Sequence, residues 1–219
     1  MEPAFEQAYF EANYRDYFAQ NPPAKVARYA EIVRRHLPAG RLLEIGCAFG
    51  VYAEALSSFL TVVATDVSSY AVDKARARSG AGRVEFRTGR IENFEFPAAS
   101  FDGVAAFDVL EHIPEIDDSL RRLRALLKPG GLMFLSVPVY DGPLGPLVQL
   151  LDRDPTHVHK WGRDRWRVLM RRHGFRVLEQ VGMLRYGLKR HYLFFAHAWL
   201  APVGSALFLV LRREDGPQS

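Results

Sequence analysis

Apolar residues along the chain follow two kinds of pattern. Short apolar runs that stop at a glycine, a turn or a polar residue predict buried strands. These runs are Arg41–Gly46, Thr61–Thr65, Arg83–Thr88, Phe101–Phe107, Leu132–Val137 and Phe175–Val181. Between them, apolar residues three or four positions apart predict helices. The helical stretches are Lys25–Leu37, Val51–Phe59, Ser69–Ser79, Glu115–Leu127 and Asp164–His173.

The alternation of strands with helices indicates an α/β fold, in which helices cover both faces of a mostly parallel sheet. The sequence contains no visible internal repeat, so one domain accounts for its 219 residues. Ligands of such doubly wound sheets bind beyond the carboxyl ends of the strands. The residues that follow each predicted strand are therefore the candidates for chemistry.

Composition narrows the class of protein. Hydrophobic residues make up 48% of the chain and charged residues 25%, as in an ordinary globular domain rather than a disordered or fibrous one. The single cysteine, Cys47, excludes an intrachain disulfide framework and a zinc site made of cysteines alone. The first residues mix acids and aromatics without an apolar core region, so we expect no signal peptide and a cytoplasmic location.

Positive charge is concentrated in one segment. The net charge is +4, but residues 160–190 contain ten Lys or Arg and two acids, which gives that segment +8 and the remainder −4. Two interpretations stay open. The segment forms an ordinary solvated surface, or it faces an acidic substrate, a nucleic acid or an anionic membrane.

The turn after the first predicted strand carries the most specific pattern. Gly46 and Gly50 flank it, and Asp66 ends the second strand. A dinucleotide fingerprint would need glycine in place of Ala48, and no Walker A lysine follows. Glu44 is a carboxylate in an apolar strand, which is costly unless a cationic ligand or water pairs with it. An acid at the position of Asp66 can accept hydrogen bonds from both ribose hydroxyls.

These features resemble the class I S-adenosylmethionine (SAM)-dependent methyltransferases, and most closely their small-molecule branch, which includes quinone-biosynthesis methyltransferases. Four segments between Tyr17 and Val181 carry the resemblance in the family's order and spacing: LLEIGCAFG, VVATDVS, FDGVAAFDVLEHIPE and LLKPGGLMFLSVP. The resemblance implies a Rossmann-like, doubly wound sheet of seven strands, mostly parallel, with the last strand antiparallel. Phe208–Arg212 is the candidate for that last strand.

The same resemblance implies SAM as the cofactor and assigns residues to it. The expected SAM-binding residues are Glu44, Gly46, Cys47, Ala48, Gly50, Asp66, Val67, Arg90, Ile91 and Phe107. Asp66 would bind the ribose and Val67 would lie against adenine. Arg90 stands where the family usually has an aspartate for the adenine amino group, so the backbone of Arg90 and Ile91 is expected to make that contact. Ala48 replaces a glycine, which is tolerable if its φ is negative.

Three histidines are the candidates for catalysis, because methyl transfer to a hydroxyl or an acidic carbon requires removal of a proton. His112 follows the fourth strand, and His157 and His159 lie in the loop after the fifth. The His-x-His spacing with Asp154 would also fit a metal. Because relatives of this type need no metal, none is expected. A structural or surface role for these histidines remains the alternative.

The resemblance divides the chain into four parts: an N-terminal flap (1–24), a SAM-binding core (25–137), an acceptor-side insertion (138–165) and a C-terminal helix and strands (166–219). The flap is expected to cover the SAM site, with Tyr14 or Tyr17 at the SAM carboxylate. An amphipathic helix that only packs against the sheet is the alternative. The uncharged stretch 191–211 is long enough to span a bilayer, but Pro202 and Gly204 interrupt it. An apolar helix or loop followed by the last strand is expected there, with peripheral membrane contact or an apolar acceptor pocket as options.

Three hypotheses for function follow. The leading one is methylation of a small molecule, apolar or anionic, at oxygen or carbon. The second is RNA methylation through the basic 160–190 face, and the third is a non-catalytic SAM-binding subunit. DNA is excluded as a partner, because residues 107–110, Phe-Asp-Val-Leu, do not form the amino-methyltransferase motif. Neither the acceptor nor the oligomeric state can be inferred from the sequence.

Overall fold

The computed structural model describes residues 5–13, 17–79, 83–152, 154–188 and 191–215. The helices are α1 (Gln7–Asn13), α2 (Tyr17–Gln20), α3 (Pro23–His36), α4 (Val51–Leu56), α5 (Ser69–Ser79), α6 (Ile116–Leu126), α7 (Gly145–Leu151) and α8 (Arg163–Arg172). The strands are β1 (Arg41–Ile45), β2 (Thr61–Asp66), β3 (Val84–Thr88), β4 (Phe101–Phe107), β5 (Leu127–Pro138), β6 (Phe175–Leu188), β7 (His191–His197) and β8 (Ala206–Arg213). Single 3-10 turns occupy Ile91–Asn93, Leu110–His112 and Ala198–Leu200.

The strands form one sheet in the order β3-β2-β1-β4-β5-β8-β6-β7. The first five strands of that order are parallel, and β8 inserts antiparallel between β5 and β6. The strand order reverses between β1 and β4, where the connections leave in opposite directions. A crevice opens at such a switch point, beyond the carboxyl ends of both strands.

The hydrophobic core has two layers, one on each face of the sheet. Leu120 and Leu123 of α6, with Trp166 and Met170 of α8, cover one face. Side chains of α3 and α4, including Tyr29, cover the other. Helical periodicity creates these faces, because each helix buries one apolar stripe against strands that are apolar on both sides.

The α/β fold is confirmed, and so is an antiparallel β8 at the position expected for Phe208–Arg212. The expected strand count of seven is wrong, because the sheet has eight strands. β6 runs past Val181 to Leu188, and β7 pairs with this extension. Residues 191–197 therefore form an edge strand rather than an apolar helix or loop, and they alternate between Phe194, packed on the core, and exposed Leu193 and Phe195.

The sequence pattern missed the short helix α7. The N-terminal segment contains the short helices α1 and α2. None of the helices among the described residues is both long and apolar enough to cross a bilayer. Peripheral membrane contact stays a prediction that the structure does not test.

A close backbone contact closes the extra hairpin against the sheet. A Cβ added at Gly182 would lie 2.0 Å from the carbonyl of Leu200. The buried guanidinium of Arg163 holds the same turn, since its Nε donates to the carbonyl of Ala201 at 2.6 Å. The 3-10 turn Ala198–Leu200 is therefore held by β6 on one side and by the side chain of Arg163 on the other.

We expect Gly182→Ala to lower the free energy of unfolding by about 2–3 kcal/mol, because the added methyl must displace backbone. Gly130→Ala is the control: among the described residues no atom lies within 4 Å of its added methyl. That variant should cost only the strain of a φ of +69°, about 1–2 kcal/mol. Urea denaturation compares the two, and a larger loss for Gly130→Ala would contradict the packing argument.

Candidate cofactor and acceptor site

A cavity of about 650 Å³ lies at the carboxyl ends of β1, β2 and β4. Its volume falls in the usual range for small-molecule sites. Most residues expected at the site line it: Gly46, Ala48, Asp66, Val67, Arg90, Ile91, Phe107, His112 and His157. Glu44, Cys47, Gly50 and His159 are not among the lining residues. The cofactor candidates and two of the three histidines thus face one space.

The turn after β1 requires both of its glycines. Gly46 has a φ of +65°, and a Cβ there would lie 2.3 Å from the side chain of Val109. Gly50 has a φ of +73°, and a Cβ would lie 3.0 Å from the ring of Phe86. Cys47 is buried. Cys47 and Gly50 therefore determine the conformation and packing of the turn without lining the cavity.

Ala48 differs from expectation. Its φ is +45°, in the left-handed region, so the condition stated for alanine at this position, a negative φ, is not met. This conformation points the N–H of Ala48 at Oδ2 of Asp66, 2.8 Å away. The strain of a left-handed alanine is about 1–2 kcal/mol, and a charge-assisted hydrogen bond offsets a strain of that size.

Asp66 links the ends of β1 and β2. Its side chain is buried and also accepts a hydrogen bond at Oδ1 from the N–H of Ser68, at 3.0 Å. Burial raises the pKa of Asp66, and the two backbone donors oppose that rise. Each oxygen keeps a lone pair beyond its backbone bond, so this carboxylate is suited to accept hydrogen bonds from a diol.

Glu44 lies behind the cavity in β1. It is only 1% exposed, and its Oε2 has no hydrogen-bond partner among the described residues. Burial raises the pKa of Glu44 to about 8, and the charge of Asp66 adds to the effect. Without a ligand, Glu44 is therefore mostly a neutral acid at pH 7.

The side of the cavity expected to hold adenine is made by the loops after β2 and β3. Val67 is 41% exposed and Ile91 is buried. The N–H of Gly89 donates to the carbonyl of Asp66 at 2.8 Å, which joins the two loops. The guanidinium of Arg90 lies 3.6 Å from a carboxylate oxygen of Glu115. Its side chain is thus directed to a surface acid, and its proposed contact through the backbone stays a prediction.

An ion cluster that sequence reasoning missed lies on the opposite side, next to Phe107. Asp108 has a φ of +56° and is held by Arg185, whose Nη2 donates to Oδ1 at 2.8 Å, and by Lys25 at 3.5 Å. Burial alone would raise the pKa of Asp108, but the two cations hold it well below its usual range. Lys25 lies four positions before the core residue Tyr29, on the same face of α3. This spacing is the sequence signal that could have indicated the burial of Lys25.

His112 is fixed by a chain of hydrogen bonds. Its Nδ1 lies 2.8 Å from Oγ1 of Thr156. That hydroxyl donates to Asp154, and the hydroxyl of Tyr9 donates to the same carboxylate at 2.9 Å. The oxygen of Thr156 therefore accepts from Nδ1–H of His112, which leaves Nε2 with a free lone pair. Burial lowers the pKa of His112 to about 4.

His157 has a similar arrangement with a different carboxylate. Its Nδ1 lies 2.9 Å from Oδ1 of Asp152, and the hydroxyl of Tyr140 donates to Oδ2 of Asp152 at 2.7 Å. Burial alone would raise the pKa of Asp152, but hydrogen bonds from His157, Lys160 and Tyr140 hold it well below its usual range. Asp152 is thus a carboxylate, His157 donates to it from Nδ1, and Nε2 again carries the lone pair.

The two imidazole rings are neighbours, with centroids 4.6 Å apart. Glu111 adjoins them: its backbone carbonyl accepts from the N–H groups of Val158 and His159 at 3.0 and 3.1 Å. These bonds hold the loop after β5 against the turn after β4. Glu111, His112 and His157 could hold a metal ion, since one ligand atom from each lies within 4.8 Å of the others.

His159 lies outside this group. Its Nε2 lies 2.8 Å from the carbonyl of Ile113, and its ring lies 4.2 Å from that of Trp161. Asp154 is occupied by Thr156 and Tyr9. The structure therefore does not bring Asp154, His157 and His159 together as one ligand set.

The N-terminal segment lies over the cavity. Tyr9, Phe10 and Tyr17 are among the lining residues. Phe10 contacts the ring of Phe49 at 5.1 Å between centroids, on the cofactor side. Tyr14 lies outside the described residues. The role of Tyr17 toward the SAM carboxylate stays a prediction.

Several cations of the basic segment 160–190 are buried or paired with acids, so they do not form an exposed basic surface. Arg163 is buried and paired with Asp141, and Arg185 faces the cavity. Lys160 pairs with Asp152. A basic face for nucleic acid therefore has fewer available cations than the sequence count of ten.

Glu44 provides a test of the burial energetics. Its raised pKa means that the unfolded chain ionises between about pH 4.5 and pH 8 while the folded chain does not, so stability falls with rising pH in that window. We expect the free energy of unfolding of Glu44→Gln to exceed that of the ligand-free wild type, by a difference that grows from pH 5 to a few kcal/mol at pH 8. Urea denaturation at several pH values measures this gain. With Glu31→Gln as the exposed control, parallel curves for all three proteins would contradict it.

Comparison with known proteins places this geometry in a family. A family model described as a methyltransferase domain matches residues 12–180. The ubiquinone biosynthesis O-methyltransferase of Xanthomonas campestris is 37% identical over 105 residues, 46% of this chain and 44% of that protein. That of Methylocella silvestris is 32% identical over 130 residues, 51% of each chain. The chain thus spans about half the length of the curated relatives it matches.

Solved structures show the same fold. A SAM-dependent methyltransferase from Thermotoga maritima, described as a possible histamine N-methyltransferase, superposes with a TM-score of 0.73 at 19% identity, covering 94% of this chain and 97% of that one. The 1,6-didemethyltoxoflavin-N1-methyltransferase of Burkholderia thailandensis, solved with S-adenosylhomocysteine, has a TM-score of 0.66 at 22% identity, covering 95% and 85%. The family model covers well over half of the sequence, and the chain belongs to the methyltransferase-domain family.

Proposed function

We propose that this chain transfers the methyl group of SAM to a hydroxyl oxygen of a small-molecule acceptor. One observation carries the proposal: the glycine turn with Asp66 and the histidines His112 and His157 line the same cavity. A cofactor seated on the turn and an acceptor held at the histidines would share that cavity. The carbon alternative remains within the same chemistry, since an acidic C–H also needs a proton acceptor.

The cofactor half of the cavity suits SAM by its chemistry. The Asp66 carboxylate offers acceptors for the two ribose hydroxyls, and Gly46 lines the same cavity without a side chain. Ionised Glu44 would stabilise the positive charge of the ligand from behind the turn. The relatives that this chain resembles are named as O-methyltransferases, which supports oxygen over carbon.

The proposed reaction depends mainly on how the protein positions the acceptor oxygen against the methyl group of SAM. SAM supplies an electrophilic methyl on a positive sulfur, and the attack is an in-line displacement. The acceptor hydroxyl loses its proton, its oxygen bonds to the methyl carbon, and the carbon–sulfur bond breaks to leave neutral S-adenosylhomocysteine. His112 and His157 line the cavity, and Nε2 of one of them would accept that proton.

Asp66→Ala tests the cofactor site. Calorimetry with SAM and with S-adenosylhomocysteine should show both ligands binding to the wild type. The variant should bind each at least about tenfold more weakly, because two charge-assisted hydrogen bonds are lost. The exposed Asp73, on α5, provides the control Asp73→Ala, which should match the wild type. Absence of binding by the wild type would disprove the proposal.

His112→Ala tests the acceptor half. The variant should retain SAM affinity within about twofold, because the ring contacts Thr156 and His157 of the loop after β5. Turnover should fall by about 10²-fold or more. The measurement is S-adenosylhomocysteine release with a panel of phenolic and aliphatic alcohols. His36→Ala, on α3 away from the cavity, is the matched control. Equal turnover by His112→Ala and the wild type would exclude His112 from the reaction.

A further inference from the structure

The sheet has two edges, and they differ in charge. β3 forms one edge, since among the described strands it pairs with β2 alone. It carries Glu85 and Arg87, whose partly exposed side chains bond to one another at 2.6 Å. β7 forms the other edge, and its residues, His-Tyr-Leu-Phe-Phe-Ala-His, include no acid, lysine, arginine, proline or glycine. Charges and prolines are the usual protection of an edge against strand pairing, and of the two edges β7 lacks them.

β7 presents different faces to the core and to solvent. Phe194 packs on the core, with its ring centroid 6.2 Å from that of the buried Tyr29. Leu193, Phe195 and, in the following turn, Trp199 are each between 56% and 66% exposed. The core face holds the strand in the domain, while three large apolar side chains within seven residues remain in water. Exposed apolar side chains concentrated in this way usually mark an interaction surface.

The backbone of β7 narrows the kind of partner. Residues 192–196 make no backbone hydrogen bond to any described residue outside their pairing with β6. One side of the strand therefore offers a row of N–H and C=O groups with which another strand can pair. Lipid chains neither donate nor accept hydrogen bonds, so a membrane would leave these groups unsatisfied. The edge thus favours a strand over a lipid surface.

The sequence of β7 is suited to pair with itself. In an antiparallel pair centred on Phe194, Leu193 of each copy would lie opposite Phe195 of the other, so both of these contacts would join exposed apolar side chains. His191 would lie opposite His197 in the same register. A twofold axis requires this reciprocity, in which one residue meets a second and the second meets the first. No two lysines, arginines or acids would meet along the pair, because the strand contains none.

We propose that β7 is the interface of a homodimer, in which the β7 strands of two copies of this chain pair antiparallel about Phe194. The two eight-stranded sheets then continue across the interface as one. Leu193, Phe195 and Trp199 expose roughly 350 Å² between them, on the scale that large side chains bury, and the paired edge adds backbone area. A stable dimer buries about 800 Å² per partner. The interface therefore lies at the low end of the stable range, and we expect the dimer to dissociate at micromolar concentrations.

The test is the mass of the full chain in solution. Sedimentation equilibrium of the wild type between about 1 and 100 µM should show one copy at the low end and two at the high end. Phe195→Lys should weaken self-association at least about tenfold, because each dimer loses two apolar cross-strand contacts. Leu150→Lys, at an exposed leucine of α7, is the matched control and should associate as the wild type does. Circular dichroism checks that each variant is folded.

Two further measurements examine the register. Leu193→Glu should weaken self-association as Phe195→Lys does, and a mixture of these two variants should associate more tightly than either alone, because opposite charges then stand at paired positions. In the wild type, amide hydrogen exchange of residues 191–197 should slow as the protein concentration rises. This second measurement needs no variant.

Four results would each overturn the inference. They are a wild type that remains a single copy at about 100 µM, a dimer that Leu150→Lys disrupts and Phe195→Lys does not, no gain in association on mixing the two charged variants, and protection from exchange confined to residues outside 191–197. A monomer whose binding to vesicles of anionic phospholipid is abolished by Phe195→Lys would identify a membrane as the occupant instead. The inference does not rest on the proposed function, since none of these measurements involves SAM.

Discussion

The hydrogen bond from the N–H of Ala48 to the carboxylate of Asp66 is the constraint on which the cofactor half of this cavity depends. It joins the turn after β1 to the end of β2, so two strand ends hold one another in position. The bond requires an alanine in a left-handed conformation and a buried carboxylate, and each of these would be unfavourable alone. Together they create a concave surface of backbone and one acid at the switch point of the sheet.

The acceptor half is organised by different means. Backbone bonds from Val158 and His159 to the carbonyl of Glu111 bring a long connection back to the turn after β4. Two separate carboxylates, Asp152 and Asp154, then orient the two histidines, directly for His157 and through Thr156 for His112. The rings of both histidines are thus oriented by residues of the loop after β5 rather than by the sheet itself.

Much of the sheet could be predicted from the sequence, because each of its first five strands contains a short apolar run that ends at a glycine, a turn or a polar residue. Strand β7 could not, since residues 191–197 alternate without charges or turn residues and their partner lies in an extension of β6. The residues proposed to bind SAM were assigned by the family resemblance, and most of them follow the ends of these strands. Lys25, Asp108, Glu111 and Arg185 were missed because their significance comes from long-range pairing, or from the lack of it, which no local pattern encodes.

The helix α1 contacts both halves of the cavity. Phe10 packs on Phe49 beside the glycine turn, and the hydroxyl of Tyr9 bonds to Asp154 beside the histidines. A displacement of this one short helix would therefore break contacts on both sides at once. The departure of the two products would then be governed by one shared movement, and the speed of a catalytic cycle would depend on a seven-residue segment far from the reacting atoms in sequence.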